Sequence, residues 1–426
     1  MTEERAVPDK ESRREFKFSR TPPIPLKELA SMNEKRDPTG MEEFDRVIGG
    51  GVVPGSFTLL AGPPGIGKST FLLQLAASMA ASPLPGLYIS GEESAAQLKL
   101  RAERLGIRSD FLVYAQTDME EILREVRRVN PRFLIVDSIQ SVFLPSIAGP
   151  PGSVTQVREC AGELLYLAKS EKIPVFISGQ VTKEGAIAGP RVLEHIVDVV
   201  LYLEGEPFSA YRLLRCVKNR FGSTNEIGVF EMKERGLIEV DNPSQVFLSQ
   251  RGVETVGSVV VSTLEGSRPL LVEIQALTNP TSFGLPRRTA NGVDFGRLLL
   301  VVAVLARRVG LKLMSQDIIA NVTGGLRIGE PAADLGIALA IASSFRDVGV
   351  DRQLVAVGEV GLSGELRAVS QLERRVTEAA RLGFKRCVVP KLGARLSPVP
   401  KGIELIPVST LREAIGVGLV GGKAKA

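Results

Sequence analysis

A chain of 426 residues is too long for one ordinary hydrophobic core and predicts two domains of roughly 150–200 residues each. With 44% apolar and 24% charged residues it reads as globular rather than fibrous, and a net charge of +5 permits a polyanionic partner without requiring one. Three scattered cysteines (Cys160, Cys216 and Cys387) and the single His195 exclude a disulfide framework, a zinc knuckle and a His-rich metal centre, so no zinc is expected.

Residues 1–36 are charged, Pro-containing and weakly periodic, which predicts a disordered arm or linker; their polar start carries no secretory signature. From 37 to 245, short apolar strands alternate with helical patterns. FTLLAGP is followed by KSTFLLQLAASMA, GLYISGE by SAAQLKLRAERLG, FLVYAQ by MEEILREVRRVN, and RFLIVDS by TQVRECAGELLYLAKS. PVFISGQ, VDVVLYLEG and YRLLRCVKN complete the set. This alternation predicts an α/β domain with a parallel sheet covered by helices on both faces.

From 250 to 426 the pattern is α+β. SVVVSTLEG and RPLLVEIQALT predict a hairpin turning at Gly266–Ser267. GRLLLVVAVLARRVG predicts a helix, DIIANVTGG a strand and AADLGIALAIASSF a helix. LVAVGEVGLSGELRAV predicts a second hairpin turning at Ser363–Gly364, followed by the helix QLERRVTEAARLG and the strand KRCVVPK. The tail GGKAKA reads as a frayed end. The longest apolar run, LLLVVAVLA at 298–306, is too short to cross a bilayer, so a cytoplasmic protein without membrane contact is expected.

The strongest chemical signal is LLAGPPGIGKST, residues 59–70. It fits G-x-x-x-x-G-K-[ST] between a strand and a helix, the context that motif requires. The loop Gly62, Pro63, Pro64, Gly65, Ile66, Gly67, Lys68, Ser69 and Thr70 can close around the phosphates of ATP, its glycines letting the backbone N–H groups approach and the helix N-terminus aiding. Lys68 should reach the β- and γ-phosphates and Ser69 should offer its hydroxyl to Mg2+. RFLIVDS ends in Asp137, which suits a second, water-mediated magnesium contact. GLYISGEES supplies Glu92, or secondarily Glu93, to orient the attacking water, unless both are acids favoured by a helix dipole. Gln180, at the end of PVFISGQ, is either a γ-phosphate sensor or an ordinary loop amide.

VKNRFGST, residues 217–224, follows a strand with Lys218, Asn219, Arg220, Phe221 and Gly222. GLPRRTANGVDFGR places Arg287, Arg288 and Arg297 near a helix start, as candidate phosphate contacts for DNA or as a solvated basic loop. With no Trp and only 5 Tyr, phosphate contacts are expected to dominate over base stacking.

Taken together, GPPGIGKST, YISGEES, FLIVDSIQS, GQVTKEGAIAGPRVLEH and VKNRFGST resemble the RecA-like ATPases and, more closely, the bacterial RadA (Sms) family, over roughly residues 37–426. The resemblance implies a RecA-like P-loop ATPase domain followed by an α+β Lon-protease-like domain. It also implies a homohexameric ring that binds single-stranded and branched DNA, promotes branch migration in recombinational repair and works beside a recombinase such as RecA. In that setting Lys218 and Arg220 would contact either ATP across a subunit interface or DNA, with Phe221 packing at that interface.

The Lon-type Ser–Lys dyad is missing. Where the family has serine within PSAGIA this chain has Asp334 within AADLGIA, and where it has lysine within GGLKEK this chain has Glu373 within SQLERR. The four-cysteine zinc finger usual in RadA proteins is also missing, by loss or by trimming, since no cysteine precedes Cys160. The leading expectation is a DNA-dependent ATPase motor. The alternative is a nucleotide-switched DNA-binding scaffold without processive translocation. A peptidase is disfavoured by Asp334 and Glu373, and a clock-type RecA-like kinase by the lack of a repeated ATPase domain.

Overall fold

The computed structural model describes residue 25 and residues 36–80, 85–180, 192–205, 210–248, 256–282, 284–391 and 399–420. The expected arm lies outside the described residues except at Pro25 and Arg36. So do 181–191 of GQVTKEGAIAGPRVLEH and the tail GGKAKA.

The elements begin with α1 (Glu42–Ile48), β1 (Phe57–Gly62), α2 (Lys68–Met79), β2 (Leu87–Ser90), α3 (Ala95–Arg104), β3 (Leu112–Ala115) and α4 (Met119–Val129). β4 (Leu134–Asp137), α5 (Val154–Glu171), β5 (Val175–Gln180), β6 (Val199–Glu204), β7 (Tyr211–Asn219), β8 (Ile227–Lys233), β9 (Gly236–Glu239) and α6 (Pro243–Leu248) follow. Next come β10 (Ser258–Glu265), β11 (Arg268–Pro280), β12 (Arg288–Asn291), α7 (Phe295–Val304), β13 (Gln316–Val322), α8 (Asp334–Arg346) and β14 (Leu354–Ala356). The chain closes with β15 (Glu359–Val360), β16 (Leu366–Arg367), α9 (Leu372–Arg381), β17 (Arg386–Pro390), β18 (Glu404–Val408) and α10 (Leu411–Gly418).

Strands β1–β9 form one sheet in the order β3-β2-β4-β5-β1-β6-β7-β8-β9. β1 through β5 pair in parallel, as the strand–helix alternation predicts, and β7, β8 and β9 pair antiparallel. Every residue of β1 and β2 is buried, which requires cover on both faces of the sheet. Among the described residues two compact units separate: residues up to 41 with 48–201 and 217–222, and residues 42–47 and 202–216 with 223 onward.

In the first unit the helices start on local signals. Ser94 and Gln97 form a capping box at α3, Asp118 caps α4 and Ser153 caps α5. No side chain caps α2, which starts from Gly67 in a left-handed conformation. Its first amides are left for another acceptor. Register puts Gly62 beside Gln180 and Ser90 beside Asp137. The phosphate loop, Glu92, Asp137 and Gln180 therefore share the C-terminal edge of the sheet, where open α/β sheets bind ligands.

In the second unit a seven-stranded sheet runs β12-β13-β11-β10-β14-β17-β18. β10 and β11 form the expected hairpin, with Glu265 opposite Arg268. The second expected hairpin is shorter than its sequence pattern. Leu354–Ala356 leaves it to join β10 and β17 in parallel, and only β15 and β16 pair around the Ser363–Gly364 turn. The helix expected through Gly310 turns π-helical over Leu305–Val309 and ends on Gly310 at φ 89. α8 is buried along most of its length, and Gly336 lets it approach β10: a Cβ there would meet Val261 Cγ1 at 2.0 Å.

Candidate active site

Lys68 opens α2 and is 8% exposed. Its amine donates to the carbonyl oxygens of Gly62 and Pro63, both at 2.9 Å. Burial holds the ammonium below its ordinary pKa, while the negative charges of Asp137 and Glu92 pull the other way. Gly65 at φ 75 and Gly67 at φ 114 make the loop turn that side chains would resist. Pro63, Pro64 and Gly65 are exposed at its crown, Ile66 is buried beneath, and Ser69 and Thr70 are half-buried.

Asp137 is gripped by hydroxyls on both carboxylate oxygens. Tyr88 OH donates to Oδ2 at 2.7 Å and Ser178 Oγ donates to Oδ1. Burial, and then the Asp137 charge, push the Tyr88 phenol well above its ordinary value, so it stays a donor. Glu92 accepts from Ser138 Oγ at 2.6 Å. Glu93 is engaged elsewhere, in an ion pair with Arg101 of α3 and in a backbone exchange with Ser90 Oγ. The fold thus gathers Lys68, Glu92 and Asp137 and turns Glu93 away, while Gln180 stands half-buried beside Gly62. Asp137 and the hydroxyls of Tyr88 and Ser178 that meet it are oxygen groups, the donor type that fits a hard cation such as Mg2+. Among the described residues no group of three or more His, Cys, Asp or Glu is placed to hold a metal by itself. The three cysteines are buried, and burial pushes the thiols of Cys160 and Cys387 up to about 12.

The KNRFG loop sits elsewhere in the same unit. Lys218 donates to the carbonyls of Glu194 and Val197 at 2.6 and 2.7 Å. Its pKa is lowered by burial and then by Arg220. Arg220 pairs with Asp198 at 3.3 Å, and its side chain is 54% exposed. Asp198, 2% exposed, also accepts from Lys169 at 2.6 Å and from the Phe57 amide at 3.0 Å. Lys169 lies 5.6 Å from the centre of the Phe221 ring. Asn219 Oδ1 accepts from the Phe221 amide at 2.9 Å, and Asn219 Nδ2 donates to Ile48 O at 3.1 Å. Arg36 belongs to this cluster rather than to a loose arm: it donates to Ile48, Gly49 and Phe221 carbonyls at 3.0, 2.6 and 2.5 Å. Gly222 packs nearby, with a Cβ position 3.3 Å from Asn219 Nδ2.

This cluster touches Phe57, the first residue of β1, whereas the phosphate loop leaves β1 at Gly62. Five strand steps separate the two ends by roughly 16 Å. Sequence reasoning named the loop but missed Asp198, Lys169, Tyr88, Ser138 and Ser178. Each is an ordinary strand, helix or turn residue whose partner is distant in sequence.

In the second unit the three candidate arginines differ. Arg297 forks onto Asp334, with Nε donating to Oδ1 at 2.9 Å and Nη2 to Oδ2. Arg288 spends its guanidinium on the carbonyls of Arg287, Leu313 and Gln316. Arg287 is exposed. Asp334 is fully buried, takes the Val360 amide at 3.2 Å, and has its carboxyl pushed above the usual range by burial despite Arg297. Glu373 lies exposed in the first turn of α9.

Residues 23–186 match the family model described as an AAA domain, and residues 297–392 match the one described as subunit ChlI of Mg-chelatase. The DNA repair protein RadA of Bacillus subtilis is 54% identical over 400 residues, covering 94% of this chain and 87% of the relative. The DNA repair protein RadA of Streptococcus pneumoniae is 52% identical over 416 residues, covering 97% and 99%. A crystal structure of the KaiC-like protein PH0186 from Pyrococcus horikoshii OT3 overlays 48% of this chain and 99% of its own at 23% identity with a TM-score of 0.40.

Proposed function

Because the chain belongs to the RadA family of DNA repair proteins, we propose that it is a DNA-dependent ATPase of recombinational repair. It acts as a homohexameric ring on single-stranded and branched DNA, drives branch migration and works beside a RecA-type recombinase. The observation that carries this reading is the separation of Lys68 from Arg220 along β1 within one chain. Arg220 is too far from its own phosphate loop to serve the phosphates held there. Its half-exposed guanidinium suits ATP held by a neighbouring subunit, so that hydrolysis waits on assembly.

Within each subunit Lys68 and the loop amides hold the β- and γ-phosphates, and Ser69 and Asp137 hold Mg2+. Bound magnesium supplies charge neutralisation at the phosphates. Tyr88 and Ser178 fix the Asp137 carboxylate, and Ser138 aims Glu92 to orient water. Gln180, which pairs with Gly62, senses the γ-phosphate in this reading. In this reading residues 37–245 carry the ATPase and 250–426 a scaffold and DNA-contacting domain, with Arg287 its exposed candidate, although 42–47, 202–216 and 223–245 group with the second compact unit. Asp334 and Glu373 offer neither a nucleophilic hydroxyl nor an amine base, so this domain is no peptidase.

The test is steady-state ATP hydrolysis with and without single-stranded DNA at two salt concentrations. Stimulation by DNA that fades with salt is expected. Turnover indifferent to DNA would favour a nucleotide-switched scaffold instead.

A further inference from the structure

Buried side-chain nitrogen and oxygen atoms nearly always find hydrogen-bond partners. Among the described residues, the buried side-chain atoms without one are Glu93 Oε2, both amide atoms of Gln140, and Ser262 Oγ. All but the last belong to segments that border the phosphate site. Gln140 stands out because its whole carboxamide is left over, whichever way the amide is turned.

Gln140 lies three residues past Asp137, on the turn where Ser138 reaches Glu92. That turn is firmly built. Ile139 donates its amide to Ser178 O at 3.1 Å, and Ser141 Oγ donates to Ser138 O at 2.7 Å. The Gln140 amide lies over the end of β5: a Cβ on Gly179 would come 3.8 Å from its nitrogen and 3.0 Å from Leu59 Cδ1. Gly179 and Gln180 pair in register with Ala61 and Gly62, where the phosphate loop begins. The unbonded amide therefore rests in van der Waals range of the Gly179 position, one residue from the candidate sensor, and what a side chain at Gly179 would crowd is Leu59.

An unsatisfied buried amide costs stability that an apolar side chain of similar shape would not. We infer that Gln140 is a positioning residue of the ATPase. Its carboxamide finds its hydrogen-bond partners when nucleotide is loaded, and those bonds hold the end of β5, and with it Gln180, against the phosphate loop. This rests on the ATP-hydrolysing reading above, but it concerns a residue that touches neither phosphate nor metal.

The test compares the full-length protein with Gln140→Leu and Gln140→Met. Two quantities are read: ATP turnover, and thermal unfolding with and without a non-hydrolysable ATP analogue. The inference expects a nucleotide-free melting temperature equal to or above that of the parent, a smaller rise on adding analogue, and kcat lowered roughly fivefold or more, the loss of about one hydrogen bond. A folded Gln140→Leu protein with parental kcat and parental analogue response would overturn it. So would loss of folding in both variants, since the nucleotide-free fold should not need the amide. If the parent protein itself hydrolyses no ATP, it is the ATPase reading that fails, and the analogue response alone judges Gln140.

Discussion

Asp198 and Arg220 meet at 3.3 Å at the strand-start end of β1, while Lys68 leads from the opposite end. The carboxylate is almost fully buried and already holds Lys169 and the Phe57 amide. It therefore fixes one edge of the Arg220 guanidinium and leaves the other facing outward. A cation so placed can complete a phosphate site only on another molecule. That is the physical basis for proposing that hydrolysis requires a ring.

The lowered pKa of Lys68 sets a pH dependence. Below that pKa the ammonium is present and triphosphate binding is at full strength. As pH rises through it, the amine must take up a proton to bind, and affinity should weaken toward about tenfold per pH unit. The fall should begin at lower pH than an ordinary lysine would give. Titrating nucleotide affinity from neutral to alkaline pH checks this, and Lys68→Arg should flatten the curve while Lys68→Ala removes turnover without unfolding the protein.

Glu92 and Glu93 should separate cleanly. Glu92→Gln should lower turnover roughly a hundredfold while leaving ATP binding intact, the signature of a lost water-orienting carboxylate. Glu93→Gln breaks the ion pair with Arg101 and should cost turnover far less. Single-turnover hydrolysis beside equilibrium nucleotide binding distinguishes the two. Equal losses in both variants would remove Glu92 from its role.

The Asp334–Arg297 pair tests the scaffold reading of the second domain. Arg297→Met strands a buried carboxylate and should destabilise that domain by about 3 kcal/mol. Adding Asp334→Leu should restore most of the loss, because no charge is then left uncompensated. Denaturant unfolding of the single and double variants measures this. A single variant as stable as the parent would mean the pair contributes nothing.

Chain-local chemistry was legible in the sequence. GPPGIGKST announces its own turn and helix start, and Asp137 ends an unmistakably apolar strand. Contacts between distant residues were not. Nothing near Arg297 shows that Asp334, 37 positions on, will claim it, and nothing in RTAN marks the edge strand β12, whose pairing depends on β13. β18, ELIPV, hides behind its proline, which edge strands tolerate. Arg36 looked like part of a charged arm because its partners are backbone carbonyls, one of them 185 residues away.

Mixing two inactive variants asks whether Arg220 serves a neighbour's nucleotide. Lys68→Ala subunits keep Arg220 and Arg220→Ala subunits keep the phosphate loop, so neither alone should turn over ATP with DNA present. If the site is shared, an equal mixture reassembled into rings should recover about a quarter of parental turnover, the share of interfaces that pair an intact loop with an intact arginine. No recovery on mixing, or full activity of Arg220→Ala by itself, would contradict it.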